Sequence, residues 1–154
     1  MKGRIRMDKK IEHQKFLQLC EYVHTEILEY SKDIKFPKHL ALRLRGLHKG
    51  QFVAKNNAKP LANYDYEAIL LTFKMCKFDI LYKIRQKDNF KDEKHRINYM
   101  MVIIEDKIND VVLKIEKNKK AKRKSELIEI HDDKGAEYQI KTKEIKSSVI
   151  NNLW

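Results

Sequence analysis

The sequence predicts a mainly α-helical protein, with a four-helix bundle-like domain followed by a C-terminal β-hairpin. Three observations favour this fold class. Only 4 Gly and 2 Pro occur in 154 residues, so few residues interrupt regular structure. Lys, Glu, Ile and Leu are abundant, and this composition favours helices over a turn-rich β-sandwich. Apolar residues recur every three or four positions along most of the chain. We divide the chain into a helical domain, 1–124, and a β-hairpin with a C-terminal tail, 125–154. The second part either belongs to the same domain or forms an appendage to it.

The first helix is predicted over about residues 8–31, with Asp8 as its cap. Its apolar face follows helical spacing and comprises Phe16, Leu19, Cys20, Val23, Ile27 and Tyr30. A second helix is predicted over 38–47, directly after Pro37, which suits a helix start. Alternating apolar residues at 40–44 also fit a strand, but Gly46 and Gly50 resemble helix end signals. Residues 49–63 are predicted to form a loop, with a short strand at 52–54 as an alternative.

The third and fourth helices are predicted over 64–85 and about 92–120, with Asn63 and Asp92 as their caps. The apolar seam of the fourth helix alternates spacings of four and three and consists of Ile97, Met101, Ile104, Ile108, Val111 and Ile115. This seam indicates a core face, and a homodimer through 97–115 is the alternative. Beyond it, 126–131 and 136–143 alternate in polarity around the turn sequence 132–135, which predicts the hairpin.

The placement of charge is the most informative functional signal. The formal net charge is +12, which indicates an anionic partner, although compositional drift in an AT-rich genome is the alternative. The 22 acidic residues leave a gap at 34–64, between Asp33 and Asp65. We expect phosphates of DNA or RNA to bind in this acid-free segment and at the basic end of the fourth helix. The predicted contact residues are Lys38, Arg43, Arg45, Lys49, Lys55, Lys59, Lys119, Lys120, Lys122 and Arg123.

Chemistry beyond binding is not predicted. No cofactor motif or metal-ligand spacing is present, and Cys20 and Cys76 lie on apolar faces as structural thiols of a reducing compartment. Two acidic clusters are candidate nuclease sites, one at 92–95 and the other at 131–133. Capping explains the first cluster and turn formation explains the second. The chain begins without a signal-peptide pattern and contains no apolar run long enough to span a membrane, so we expect a cytoplasmic protein. Because no catalytic motif is found, we also expect the protein to be non-enzymatic.

Over residues 36–112 the chain resembles uncharacterised small basic helical proteins of phages and mobile elements of low-GC Firmicutes. The segments that carry the resemblance are FPKHLALRLRGLHKGQFVAKN, ANYDYEAILLTFKMCK and FKDEKHRINYMMVIIEDKINDVV. The resemblance implies a mobile-element context. In that context a small basic protein binds nucleic acid or acts as an inhibitor or adaptor, such as an anti-CRISPR that binds a host nuclease or its guide-RNA complex. A metal-dependent nuclease is the third hypothesis.

Overall fold

A computed structural model of the chain describes the backbone of residues 2–51, 53 and 57–132, and the side chains of 6–51, 53 and 57–128. These described residues form four α-helices and one π-helical turn, which confirms the mainly helical prediction. The helices are α1 (Lys2–Tyr22), α2 (Lys38–His48), α3 (Tyr66–Gln86) and α4 (Glu93–Asp132), and the π-helical turn is Val23–Ile27.

The chain divides into two compact units, Met1–Lys117 and Asn118–Trp154. The first unit holds α1, the π-helical turn, α2, α3 and α4 as far as Lys117. The described residues of the second unit belong to the remaining part of α4. Within the described ranges, none of the helices combines the length and the apolar character that crossing a bilayer requires.

The first helix differs from its prediction at both ends. It begins at Lys2, so Asp8 lies inside α1 and is not its cap. The α-helical pattern stops at Tyr22 and gives way to a π-helical turn, in which the N–H of Leu28 donates to the carbonyl of Val23 at 2.9 Å. The Thr25 hydroxyl donates to the carbonyl of Glu21 at 3.0 Å, a side-chain bond that competes with the regular helical ladder.

The second helix confirms its prediction. α2 begins after Pro37, which occupies its N-cap position, and the strand alternative for 40–44 is wrong. Gly46 lies buried inside α2, whereas Gly50 follows its end with φ +70°. The N–H of Gly50 donates to the carbonyl of Leu47, and its own carbonyl accepts from the N–H of Leu61. The helix therefore ends on a left-handed glycine, the geometry that glycine adopts at least cost.

The third and fourth helices correct other predicted boundaries. α3 starts at Tyr66 after Asp65, so the predicted cap at Asn63 is wrong. The cap of α4 is confirmed, because the Asp92 carboxylate accepts from the backbone N–H of His95 at 2.7 Å. α4 then continues to Asp132, well past the predicted end at 120.

The continuation of α4 overturns part of the predicted hairpin. Residues 126–131 are helical, so the first predicted strand is wrong. The second predicted strand, 136–143, lies outside the described residues, as do the turn residues after Asp132. Of the short strand predicted as an alternative at 52–54, only Val53 is described, and it is not in a strand.

The core of the first unit is made by the apolar faces that the sequence pattern indicated. Leu40 and Leu44 from α2, and Ile69 and Phe73 from α3, are fully buried. The seam of α4 belongs to this core, because its side chains are buried from Ile97 to Val111 and half-buried at Ile115. The seam is therefore a core face and presents no exposed surface at which a second copy would bind.

One ion pair lies inside this core. The guanidinium of Arg43 on α2 donates to the Glu105 carboxylate on α4 at 3.0 Å, and their side chains are only 15% and 1% exposed. A carboxylate removed from water in this way requires its counterion, because an uncompensated buried charge is strongly unfavourable.

We expect Arg43→Ala to lower the free energy of unfolding by about 3–5 kcal/mol, because it leaves the Glu105 charge buried without its guanidinium partner. Chemical denaturation measures this loss. Arg85→Ala is the matched control, since the Arg85–Glu29 pair is exposed and such pairs contribute only about 0–1 kcal/mol. Equal losses in the two variants would contradict a structural role for Arg43.

We expect Gly50→Ala to destabilise the protein by at least about 1–3 kcal/mol, the usual cost of a strained backbone. A Cβ atom at Gly50 would lie 2.3 Å from the Cα of Leu61, so the loop must also shift. The denaturation midpoint measures this effect against the exposed neighbour variant Lys49→Ala. A midpoint unchanged from wild type would show that the contact between Gly50 and Leu61 does not form.

Candidate nucleic-acid interface

The exposed face of α2 carries three of the predicted contact residues in a row. Lys38, Arg45 and Lys49 are exposed and follow one another at spacings of seven and four, which places them on one face of the helix. The buried face of α2 bears Leu40, Leu44 and Leu47. We call Lys38, Arg45 and Lys49 the α2 stripe. None of them takes part in an ion pair within the described part of the chain.

Arg43 does not belong to this surface. It lies between the exposed and buried faces of α2, and its guanidinium is held by Glu105. Arg43 and Arg45 lie two positions apart in the sequence, but only Arg45 is on the exposed face. Arg43 holds α2 to α4, and its charge is already offset within the chain.

A groove of about 650 Å³ runs beside the α2 stripe, between α1, α2 and the start of α3. Arg45 and Lys49 line it on one side, and Lys9 and His13 line it from α1. The guanidinium of Arg45 lies over the Phe16 ring at 4.6 Å, which covers this core aromatic while the arginine remains exposed. Basic side chains from two helices therefore share one groove, although Glu12 and Asp65 also line it.

His48 contacts one of those two acids. Its Nε2 lies 2.6 Å from the Glu12 carboxylate and its Nδ1 lies 2.6 Å from the carbonyl of Tyr64. Each ring nitrogen thus lies within hydrogen-bond distance of an oxygen atom, one from α1 and one from the loop before α3. The ring stacks on Tyr66 at 4.1 Å, and burial is the largest cause that raises the pKa of the Tyr66 phenol.

The rest of the acid-free segment contributes less to an interface. Lys59 is exposed, and Lys55 lies outside the described residues. Tyr64 is buried, where its hydroxyl donates to Asn109 and accepts from the backbone N–H of Lys59. Asn57 donates to Asp106. Tyr64 and Asn57 thus hold the loop against α4, and these hydrogen bonds occupy the groups that would otherwise contact nucleotide bases.

The second predicted basic set lies on α4, in the second unit. Lys119, Lys120, Lys122 and Arg123 are helical and exposed, together with every other side chain described from 116 to 128. They were expected at the end of the helix and beyond it, but all of them lie inside it. At 3.6 residues per turn their positions cover about 160° of the helix circumference, so this part of α4 presents positive charge over one broad side.

The acidic clusters have other contacts where their side chains are described. The Asp92 carboxylate caps α4, and the Glu93 carboxylate accepts from the Tyr30 hydroxyl at 2.7 Å. The side chains of His131, Asp132 and Asp133 lie outside the described residues. Among the side chains that are described, no group of three or more His, Cys, Asp or Glu residues is arranged to hold a metal ion.

Sequence reasoning missed the contribution of α1 to the groove. Lys9 and His13 are four residues apart, so both lie on one exposed face of a helix, and this spacing was a usable signal. Acids and bases are mixed in this segment, so its charge does not stand out in the sequence as that of the acid-free segment does. Which of these acids faces His48 is a tertiary property that spacing along α1 does not reveal.

Cys20 lies at the edge of the core, half-buried, and burial raises its pKa from 9.0 to about 11. The thiol is therefore neutral near pH 7 and unsuited to nucleophilic attack. A raised thiol pKa stabilises the folded state below pH 9.0, and this contribution is lost as the pH rises from 9.0 through about 11.

We expect Cys20 in the native protein to react with a thiol reagent at pH 8 roughly 100-fold more slowly than in denaturant, because two pKa units reduce the thiolate fraction by that factor. The rate is followed in a Cys76→Ser variant so that only one thiol reports. Equal native and denatured rates would contradict the burial of this thiol.

Comparison with known proteins gives one family match. Residues 4–153 match the family model described as SPbeta prophage protein YorH. Among curated proteins and among solved structures there is no significant match to this chain.

Proposed function

Because this chain belongs to the SPbeta prophage YorH protein family, we propose that it is a small non-enzymatic protein of a mobile element that binds nucleic acid through phosphate contacts. The observation that supports this proposal most is the α2 stripe. Lys38, Arg45 and Lys49 remain exposed and outside the described ion pairs, in a chain of net charge +12.

The stripe has dimensions that suit a polyphosphate backbone. From Lys38 to Lys49 it extends about 16 Å, at 1.5 Å per residue. Each strand of duplex DNA carries one charge per about 3.4 Å of its axis, so the stripe spans up to about five phosphates. Arg45 adds a planar guanidinium, which binds phosphate with two parallel hydrogen bonds.

The exposed cations of α4 support the same proposal independently. Lys119, Lys120, Lys122 and Arg123 lie on one broad side of a helix, and an α-helix fits the major groove of duplex DNA. Neutralising phosphates with either set releases condensed counterions, so binding depends steeply on salt and little on base sequence. The partner class is DNA or RNA, recognised by its phosphates.

We expect the triple variant Lys38→Gln, Arg45→Gln, Lys49→Gln to bind a labelled DNA duplex more weakly than wild type. The slope of log affinity against log salt should fall by up to about 2.7, since each lost phosphate contact removes about 0.9. Fluorescence anisotropy across a salt series measures both quantities, and labelled RNA and single-stranded DNA in parallel identify the preferred partner.

The matched control is Lys15→Gln, Lys83→Gln, Arg85→Gln, which removes the same number of charges from residues that are paired with acids. Its salt slope should equal that of wild type. If wild type binds none of the labelled nucleic acids, the proposed function is wrong. If the control loses as much slope as the stripe variant, net charge and not the α2 stripe drives binding.

A further inference from the structure

α3 carries a row of exposed apolar side chains on the face opposite its core residues. Leu71, Met75, Phe78 and Tyr82 are 38%, 51%, 81% and 65% exposed. Their spacings of four, three and four place them in one line along the helix. Ile69, Phe73 and Ile80 on the other face are fully buried, so α3 is apolar on two sides. A contiguous exposed row with two aromatics is typical of an interaction surface.

We propose that this row, which we call the α3 stripe, binds the α3 stripe of a second copy of the chain. The two helices pair antiparallel about a twofold axis between Met75 and Phe78. Such an interface requires a self-complementary surface, and the order of residues along the stripe provides one.

Antiparallel pairing places residues of complementary size opposite each other. Leu71 faces Tyr82 of the other copy, and Met75 faces Phe78 of the other copy. Each layer thus combines one aliphatic or thioether side chain with one aromatic, and all layers have similar volume. The Met75 sulfur against the Phe78 ring is a favourable contact in its own right. Parallel pairing would place Phe78 against Phe78 and leave the layers unequal.

The charges beside the α3 stripe also favour a second copy over an anionic partner. Lys83 is held by Asp79, Arg85 by Glu29 and Lys77 by Glu26. These cations are offset within the same chain, unlike those of the α2 stripe. Lys74, which also flanks the stripe, lies over the Tyr22 ring and takes part in none of the described ion pairs. Most of the cations at the borders of the α3 stripe are therefore offset, which lowers the repulsion between two chains of net charge +12 at this face.

The exposed area sets the strength of the dimer. Aromatic side chains bury about 150–250 Å² each, so the four exposed side chains present on the order of 400 Å² per copy. A dimer would bury about 800 Å² of surface from these side chains of both copies. Residues at the borders of the α3 stripe must supply the remaining area, because a small specific interface buries roughly 1,200 Å² in total. We expect a weak, concentration-dependent dimer.

Sedimentation velocity over a range of protein concentrations, without nucleic acid, tests the proposal. Wild type should shift from monomer to dimer as concentration rises, and higher salt should strengthen the dimer by screening repulsion. Phe78→Ser should raise the dimer dissociation constant at least tenfold. Leu42→Ser, at an exposed leucine on α2, should leave the dissociation constant unchanged. Circular dichroism confirms that both variants stay helical.

Disulfide trapping tests the orientation. In a background with Cys20→Ser and Cys76→Ser, a mixture of Leu71→Cys and Tyr82→Cys chains should form a mixed disulfide. Neither variant should crosslink to itself, because like positions lie about 16 Å apart in the antiparallel pair, beyond disulfide reach. A monomer at every concentration, or self-crosslinking of Leu71→Cys, would overturn the proposal. Both results are independent of nucleic-acid binding, so they leave the proposed function intact.

Discussion

The ion pair between Arg43 and Glu105 determines how α2 presents its charges. It joins α2 to α4 inside the core, where the carboxylate is 1% exposed. With Arg43 held inward beside the buried leucines, the opposite face of α2 must point outward, and that face bears Lys38, Arg45 and Lys49. Removing Arg43 alone would leave the Glu105 carboxylate buried without its guanidinium partner and weaken the attachment of α2 to α4, so the candidate interface depends on an interaction that never touches the ligand.

The helices could be predicted from the sequence because their apolar faces repeat at helical spacing, and the same faces form the core. Their ends could not be predicted as well. Alternating polarity over 126–131 favoured a strand, but no Gly or Pro occurs between Pro60 and Gly135 to stop a helix already formed. Extending a helix costs less than starting new structure, so α4 runs on to Asp132. The π-helical turn contains a local bond from the Thr25 hydroxyl to the Glu21 carbonyl, and apolar spacing reveals neither feature.

The candidate site was predictable in part. The acid-free segment indicated the cations of α2, and the helical positions of Leu40, Leu44 and Leu47 already imply that Arg43 lies near the buried face while Arg45 does not. Its partner could not be predicted, because Glu105 lies 62 positions away and joins Arg43 only when α2 and α4 pack. The contact between Glu12 and His48 likewise forms only when α1 and α2 pack.

The two exposed faces of the first unit differ in how their charge is offset, and this difference couples the two proposals. Lys77, Lys83 and Arg85 beside the α3 stripe are paired with acids, whereas the cations of the α2 stripe take part in none of the described ion pairs. A polyanion bound at α2 lowers the net charge of each copy and thereby weakens the repulsion that opposes pairing through α3. Linkage then requires the converse, so pairing must tighten polyanion binding by the same factor. A dimer also presents twice the number of cations to one nucleic acid, which adds avidity without any new contact.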